Sequence, residues 1–269
     1  MKLLNGRDLA DFIKERQLGD VRNLRQAHHV IPKLAIIRTN PDPIVDSYMR
    51  LKQSYGTDLD VEVDVHTIDQ SDAMELVKKL NADDTVHGII IQIPLPEVSQ
   101  TADLLNSVSG DKDVDGLGEN SKFDPATPMA INWLLAGYNV NLKNSHIVIV
   151  GHGRLVGKPL AKIWRGSGLN VEIVDRQTKD LAAVVNTADI LICATGVPGL
   201  ITADMICPGA VIVDAGVATD SNGLVGDIAP DVRLLEDIKI TPEKGGVGPL
   251  TVTALFDNVL RAARKTIKT

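Results

Sequence analysis

Apolar positions along this chain fall into two alternating patterns. Unbroken runs rich in Val and Ile occupy residues 33–38, 88–93, 148–150, 171–175, 189–194 and 210–214. Runs of this kind, bounded by turn residues, read as strands of a parallel sheet buried on both faces. Residues 61–65 instead alternate apolar with acidic, as a half-buried strand does. Helical spacing fills the intervals. Within 71–80 the apolar positions are 73, 74, 76, 77 and 80, a connecting helix starts over 128–135, and 251–268 form an amphipathic helix with cations near its end, where they favour the helix dipole. Asp42-Pro43 predicts another start, since Asp caps well and Pro is pre-set for the first helical position; Gly56 predicts its stop.

Strands alternating with helices give an α/β class. Residues 109–128, rich in Gly, Asp, Pro and Ser, predict the domain boundary. The reading is two α/β domains: residues 1–124 with the final helix 250–269 packed back on them, and residues 125–249.

The second domain carries the strongest chemical signal. The strand run ends in Gly151-His152-Gly153-Arg154-Leu155-Val156-Gly157-Lys158-Pro159, and a helical pattern follows. A glycine turn between a strand and a helix lets backbone N–H groups approach a pyrophosphate at the helix N-terminus. The spacing Gly-x-Gly-x-x-x-Gly is one residue longer than the common fingerprint, and a plain turn is the competing reading. The next strand run ends at Asp175, about twenty residues on, where a ribose hydroxyl would be bound. Asp175 favours NAD, whereas Arg176 beside it suits the 2′-phosphate of NADP.

Bulk composition narrows the classes. A formal net charge of −7 disfavours nonspecific nucleic-acid binding, and 3% aromatic residues leave little to stack bases on. No apolar run is long enough to cross a bilayer, and the N-terminal residues lack the apolar stretch of a signal peptide; a cytoplasmic location is the expectation. Cys193 lies in an apolar strand run and reads as a small core residue, and with Cys207 and no neighbouring histidines it makes no metal site.

The first domain holds the candidates for chemistry. Tyr48 and Lys52, four apart on the helix begun at Pro43, share a face; alone they read equally as a half-buried tyrosine beside a solvated lysine. Gln92 interrupts an apolar strand, and a buried amide needs partners, a lysine or a neighbouring loop among them. Lys112-Asp113-Val114-Asp115-Gly116 is an acidic loop or a surface turn. Pro242-Glu243-Lys244-Gly245-Gly246-Val247-Gly248-Pro249-Leu250-Thr251 clusters glycines between two prolines, which suggests a close backbone approach rather than a freely flexing loop.

These segments, taken in order along nearly the whole chain, resemble the bifunctional methylenetetrahydrofolate dehydrogenase/methenyltetrahydrofolate cyclohydrolase family. Residues 47–52 resemble its Tyr-x-x-x-Lys helix, residues 88–96 its Gln-(Leu/Ile)-Pro-Leu-Pro strand end, residues 112–116 its Lys-Asp-Val-Asp-Gly loop and residues 245–251 its Gly-Gly-Val-Gly-Pro-Met-Thr signature. The resemblance implies an active site in the interdomain cleft and two reactions on one folate: oxidation of 5,10-methylenetetrahydrofolate with NADP or NAD, then hydrolysis of the methenyl product to 10-formyltetrahydrofolate. It implies Lys52 as the central catalytic group oriented by Gln92, with Tyr48 packed on the folate rings and Asp115 on the pterin. Pro94, Leu95, Pro96, Gly248 and Pro249 would wall the site. The cofactor would contact Gly151, His152, Gly153, Arg154, Val156, Gly157, Asp175, Arg176, Thr195 and Val217. NADP is the expected cofactor and a homodimer the expected assembly. The rivals are an NAD(P)-dependent dehydrogenase of another small metabolite, a non-catalytic nucleotide-binding relative, and an enzyme that keeps only one activity.

Overall fold

The computed structural model describes residues 1–41, 43–220 and 223–267, leaving undescribed the side chains of residues 43–45, 47, 48, 219 and 220. In chain order the elements are β1 (Lys2–Leu3), α1 (Gly6–His28), β2 (Lys33–Arg38), α2 (Pro43–Leu59), β3 (Glu62–Thr67), α3 (Gln70–Ala82), β4 (Gly88–Gln92), α4 (Thr101–Ser107) and α5 (Ala126–Gly137). There follow β5 (Ile147–Val150), α6 (Gly157–Gly166), β6 (Val171–Val174), α7 (Leu181–Val185), β7 (Ile190–Cys193), β8 (Val211–Asp214), β9 (Ala218–Asp220), β10 (Gly223–Val225), β11 (Lys239–Ile240) and α8 (Val247–Lys265). The chain divides into two compact units, one of residues Asp11–Ala126 with Val252–Thr269, the other of Met1–Ala10 with Thr127–Thr251.

The unit of Asp11–Ala126 is built on a parallel sheet in the order β3-β2-β4. Ala35, Ile37, Ile89 and Ile91 bury one face against Ala73, Val77 and Leu80 of α3 and Leu104 and Leu105 of α4. Side chains alternate along a strand, so Arg38 and its register partner Gln92 lie on the other face. That alternation decides which polar groups can meet.

The unit containing Thr127–Thr251 is built on a six-stranded sheet in the order β1-β11-β8-β7-β5-β6, every pair parallel. Val148, Val150, Leu191, Cys193 and Ile212 are buried on it with Ile201, Ile228 and Val232. The strand order reverses at β5, which β6 and β7 flank. In open parallel sheets ligands bind beyond the carboxyl ends of the strands at such a switch point, and residue 151 stands there.

Three sequence expectations shift. Gly56 does not stop α2, which runs to Leu59. A Cβ at Gly56 would strike the Val63 side chain and crowd the Phe256 ring, so the glycine serves packing against β3 and α8. The helix expected over 251–268 begins earlier, at Val247, with Pro249 in its first turn, where a missing N–H costs little. The boundary that gave residues 1–124 to one domain differs from the structure, where β1 pairs with β11 and Met1–Ala10 belong with Thr127–Thr251; a two-residue strand carries no periodicity to read. The Asp42 cap lies outside the described residues. The long helix α1 had no counterpart in the pattern reading, because charges crowd it and only Gly6, Ala10, Gln17, Val21 and Leu24 are buried along it. Among the described residues no helix is long and apolar enough to cross a membrane.

Candidate functional site

Within the unit of Asp11–Ala126, the face of the short sheet that ends in Arg38 and Gln92 meets α2. Lys52 Nζ donates to Gln92 Oε1 at 2.9 Å, and Gln92 Nε2 donates to the Ile93 carbonyl at 3.1 Å. The second bond fixes which end of the amide faces the lysine. Two further ties hold α2 in place. Arg38 Nη2 lies 2.6 Å from Asp46 Oδ1 at the start of the helix. Three residues beyond Lys52, Tyr55 donates to Gln17 Oε1 at 2.8 Å, and Gln17 Nε2 donates to the Thr253 carbonyl at 2.9 Å. Both α1 and α8 therefore grip the helix that carries Lys52. Tyr48 lies on α2, but its side chain is outside the described residues.

The third group comes from the loop after α4, where each residue of Lys112–Gly116 has its own task. Lys112 Nζ donates to the carbonyls of Leu80, Asn81 and Asp83 at 3.0, 2.9 and 2.7 Å and so closes the C-terminus of α3. The buried Asp113 carboxylate accepts from the N–H groups of Gly116 at 3.1 Å and Gly118 at 2.8 Å. Val114 is fully buried. Gly116 has φ of 72°, and a Cβ there would lie 2.6 Å from Pro125 N, so no larger residue fits. Among the described residues the Asp115 side chain makes no structural bond of this kind, and it is half-buried.

Its electrostatic partner is Lys52. Burial pulls the Lys52 ammonium below the ordinary lysine value of 10.5, against the opposite pull of the Asp115 charge. Burial raises the Asp115 carboxyl above its ordinary value; the Lys52 charge opposes that rise and the Asp113 charge adds to it. The amine and the acid are each held partly desolvated, and each is poised to respond to a third charge.

Of the expected wall, Pro94 and Pro96 are exposed, whereas Leu95 is buried in the core with Ile37 and Ile91, leaving only its backbone to offer. The glycine cluster at 245–248 does make a close approach, and its partner is the chain itself: the N–H groups of Gly6 and Arg7 donate to the Gly245 carbonyl at 2.9 and 3.0 Å. Gly248 and Pro249 lie in the first turn of α8, with nothing within 4 Å of a Cβ placed on Gly248.

Within the other unit, β5 enters Gly151 at φ 107°. A Cβ on Gly157, the first residue of α6, would overlap the Gly151 carbonyl oxygen, so that position admits glycine alone. Around Gly153 there is nothing within 4 Å of a Cβ, and His152, Gly153, Arg154 and Leu155 are exposed. The N-terminus of α6 has no side-chain cap. A closed turn, an open approach and an uncapped helix start suit a phosphate. Exposed apolar side chains, Leu155 after β5, Val197 after β7 and Val217 after β8, offer a surface for flat rings. These features fit a dinucleotide. Asp175 and Arg176 follow β6, both exposed, and the Asp175 carboxylate accepts from Gln177 N–H at 2.9 Å.

Sequence reasoning missed a pair of acids here. The fully buried Asp227 accepts from Thr195 N–H through Oδ2 at 2.6 Å. Asp214 accepts from Gly216 and Asp227 N–H through Oδ1 at 3.0 and 3.1 Å and from Ile228 N–H through Oδ2 at 3.2 Å. Together they tie the ends of β7 and β8, which place Thr195 and Val217. Acids before or after a glycine, at Asp214-Ala215-Gly216 and Gly226-Asp227, were the available signal.

Two family models match the chain in succession. The model of the tetrahydrofolate dehydrogenase/cyclohydrolase catalytic domain matches residues 4–115, and that of the NAD(P)-binding domain of the same family matches residues 125–267. The bifunctional protein FolD of Exiguobacterium sibiricum is 35% identical, over 97% of this chain and 99% of its own. The crystal structure of the bifunctional FolD methylenetetrahydrofolate dehydrogenase/cyclohydrolase from Campylobacter jejuni superposes with a TM-score of 0.93 at 31% identity, covering 98% of this chain and 99% of that one. The Trypanosoma brucei enzyme, solved with NADP and an inhibitor, superposes at 0.92 with 27% identity, over 99% and 98% of the two chains.

Proposed function

This chain belongs to the tetrahydrofolate dehydrogenase/cyclohydrolase family, and from that premise we propose that it oxidises 5,10-methylenetetrahydrofolate with NAD(P) and hydrolyses the methenyl product to 10-formyltetrahydrofolate. The observation that carries the chemistry is Lys52 Nζ, 2.9 Å from Gln92 Oε1, desolvated, and electrostatically paired with Asp115. The methenyl substrate is a cation, and a positive charge beside a buried amine lowers its proton affinity further. Lys52 then holds a neutral amine able to take a proton from water as its oxygen bonds to the methenyl carbon. When the bond from that carbon to N5 breaks, N5 takes a proton, the formyl group stays on N10, and one proton is released overall. Gln92 keeps the amine aimed, and Asp115 accepts the paired N–H donors of the pterin, a geometry a carboxylate matches well. Tyr48 completes the reading as the ring that packs on the folate, and the Pro94–Pro96 and Gly248–Pro249 backbones as its walls.

Gly151, His152, Gly153, Arg154, Val156, Gly157, Asp175, Arg176, Thr195 and Val217 would hold NAD(P), which would supply the hydride acceptor. For that step the protein's own part is to hold the reacting carbons close and aligned, with no acid or base required. Arg176, exposed at the end of β6, supports NADP as the cofactor. The expected outcome is a higher kcat/KM with NADP than with NAD, with Arg176→Ala narrowing the ratio; a wild-type preference for NAD would assign β6 to Asp175 instead. A homodimer, as the resemblance implies, and a cytoplasmic location complete the reading.

The test of the folate site is Asp115→Ala in an absorbance assay that follows methenyl formation and decay. Losing a charge-assisted hydrogen bond is worth about 1.5–3 kcal/mol, so the folate KM rises by roughly ten- to a hundredfold while the NAD(P) KM holds. Equal losses for both ligands would place Asp115 outside the pterin site.

A further inference from the structure

Asp115 has a hidden support. Asn258 of α8 is fully buried, and its Nδ2 gives both hydrogens to the loop that carries Asp115. One goes to the Val114 carbonyl at 2.9 Å and the other to the Asp124 carbonyl at 3.0 Å. Its Oδ1 accepts from Arg261 Nη1, one turn along the same helix, at 3.3 Å. Every hydrogen-bonding group of this amide except a second lone pair is used, so its orientation is determined.

The two carbonyls bracket the acid. Val114 immediately precedes Asp115, and its side chain is wedged against Gly88, where a Cβ would stand 2.8 Å from a Val114 methyl. Asp124 belongs to the segment that closes on Gly116, the residue after Asp115; its carbonyl carbon would lie 2.8 Å from a Cβ on that glycine. One amide therefore fastens both sides of a short loop that Asp113 and Ser121 brace from within, and whose first residue, Lys112, is tied to the end of α3 and to the Ile89 N–H of β4. The bonds of Asp113 and Ser121 fix the shape of the loop and Lys112 anchors its start, while the two bonds from α8 hold the stretch on either side of Asp115.

We propose that Asn258 is a positioning residue for the folate, setting where the Asp115 carboxylate stands through the Val114 and Asp124 carbonyls. The proposal rests on the reading of Asp115 as the pterin's partner. A buried asparagine with a merely structural role would change stability on removal without singling out one ligand. A positioning role acts through Asp115 and must vanish when Asp115 is gone.

The experiment is a double-mutant cycle in the intact enzyme. Asn258→Ala removes both donors; Asn258→Ser keeps one and serves where the alanine variant fails to fold. Each is made in the wild-type and the Asp115→Ala background, with folate KM, NADP KM, kcat and thermal midpoint measured. In the wild-type background Asn258→Ala is expected to raise the folate KM about tenfold with the NADP KM unchanged, and Asn258→Ser to restore part of that loss. In the Asp115→Ala background neither should change the folate KM further. An equal rise in both backgrounds, or a lower thermal midpoint with an unchanged folate KM, would overturn the proposal. If Asp115→Ala alone leaves the folate KM untouched, the reading of Asp115 falls first and the role of Asn258 falls with it.

Discussion

Lys52→Met is expected to slow methenyl hydrolysis by about 10²–10⁴-fold, the range a positioned proton-transfer group supplies, while folate binding changes by less than about threefold. Methionine keeps the length and apolar stem of lysine and removes only the amine. Hydrolysis needs a proton acceptor for the attacking water, and among the described residues no other titratable group is bonded to Gln92 Oε1. The pH profile supplies a second readout. Burial holds the Lys52 ammonium below 10.5, so the wild-type rate should fall as pH drops through that depressed value and the amine becomes protonated. The variant should lack this limb. Stability follows the linkage sign. A lysine whose folded pKa lies below its unfolded one costs stability wherever it is protonated in both states, and that cost fades as pH rises through the folded value toward 10.5. Methionine removes the cost but leaves Gln92 Oε1 without its donor, a loss of about 1–3 kcal/mol. The two oppose, and the thermal midpoint should stay within about 4 °C. Unchanged hydrolysis in a folded Lys52→Met enzyme would remove the lysine from the mechanism.

What could be read in the sequence was local. Tyr48 and Lys52 share a helix turn, residues 112–116 are contiguous, and the run into Gly151 carries strand, turn and helix within a dozen residues. Unbroken Val and Ile runs gave the parallel sheets because strands buried on two faces have no polar alternation to confuse the pattern. What escaped was long-range. Asn258 meets Val114 across 144 positions, and Thr195 meets Asp227 across 32; no periodicity encodes such pairs. Gly56 reads as a stop because glycine usually ends helices, and only the side chains of Val63 and Phe256 reveal that it is there to let them close in. The helix α1 escaped for a different reason: its buried stripe is narrow, includes the polar Gln17, and lies under charges that dominate the local composition.

Gly157→Ala should have the opposite functional signature to Lys52→Met. The added methyl overlaps the carbonyl oxygen of Gly151, and that residue has no room to retreat: its own Cβ position lies 2.5 Å from the Ala194 carbonyl oxygen, and its N–H donates to the Val174 carbonyl at 2.9 Å. Pinned between β6 and β7, the turn can relieve the overlap only by pushing α6 away or by distorting residues 151–157. Either moves the backbone N–H groups that, on the proposed reading, would face the pyrophosphate. Strain from an inserted methyl in a packed site amounts to about 1–3 kcal/mol, and at about 1.4 kcal/mol per decade that is up to roughly a hundredfold in NAD(P) affinity. Hydrolysis assayed directly on the methenyl substrate should stay within about threefold of wild type, because Lys52, Gln92 and Asp115 all belong to the unit of Asp11–Ala126. The decisive comparison is the ratio of the two activities in one preparation, with circular dichroism to establish that the protein is folded. Dehydrogenase activity with an unaltered NAD(P) KM would show that the 151–157 turn does not hold the pyrophosphate. A parallel fall in hydrolysis would show that the turn supports the folate chemistry as well, and the division of labour between Lys52 and the glycine turn would then have to be redrawn.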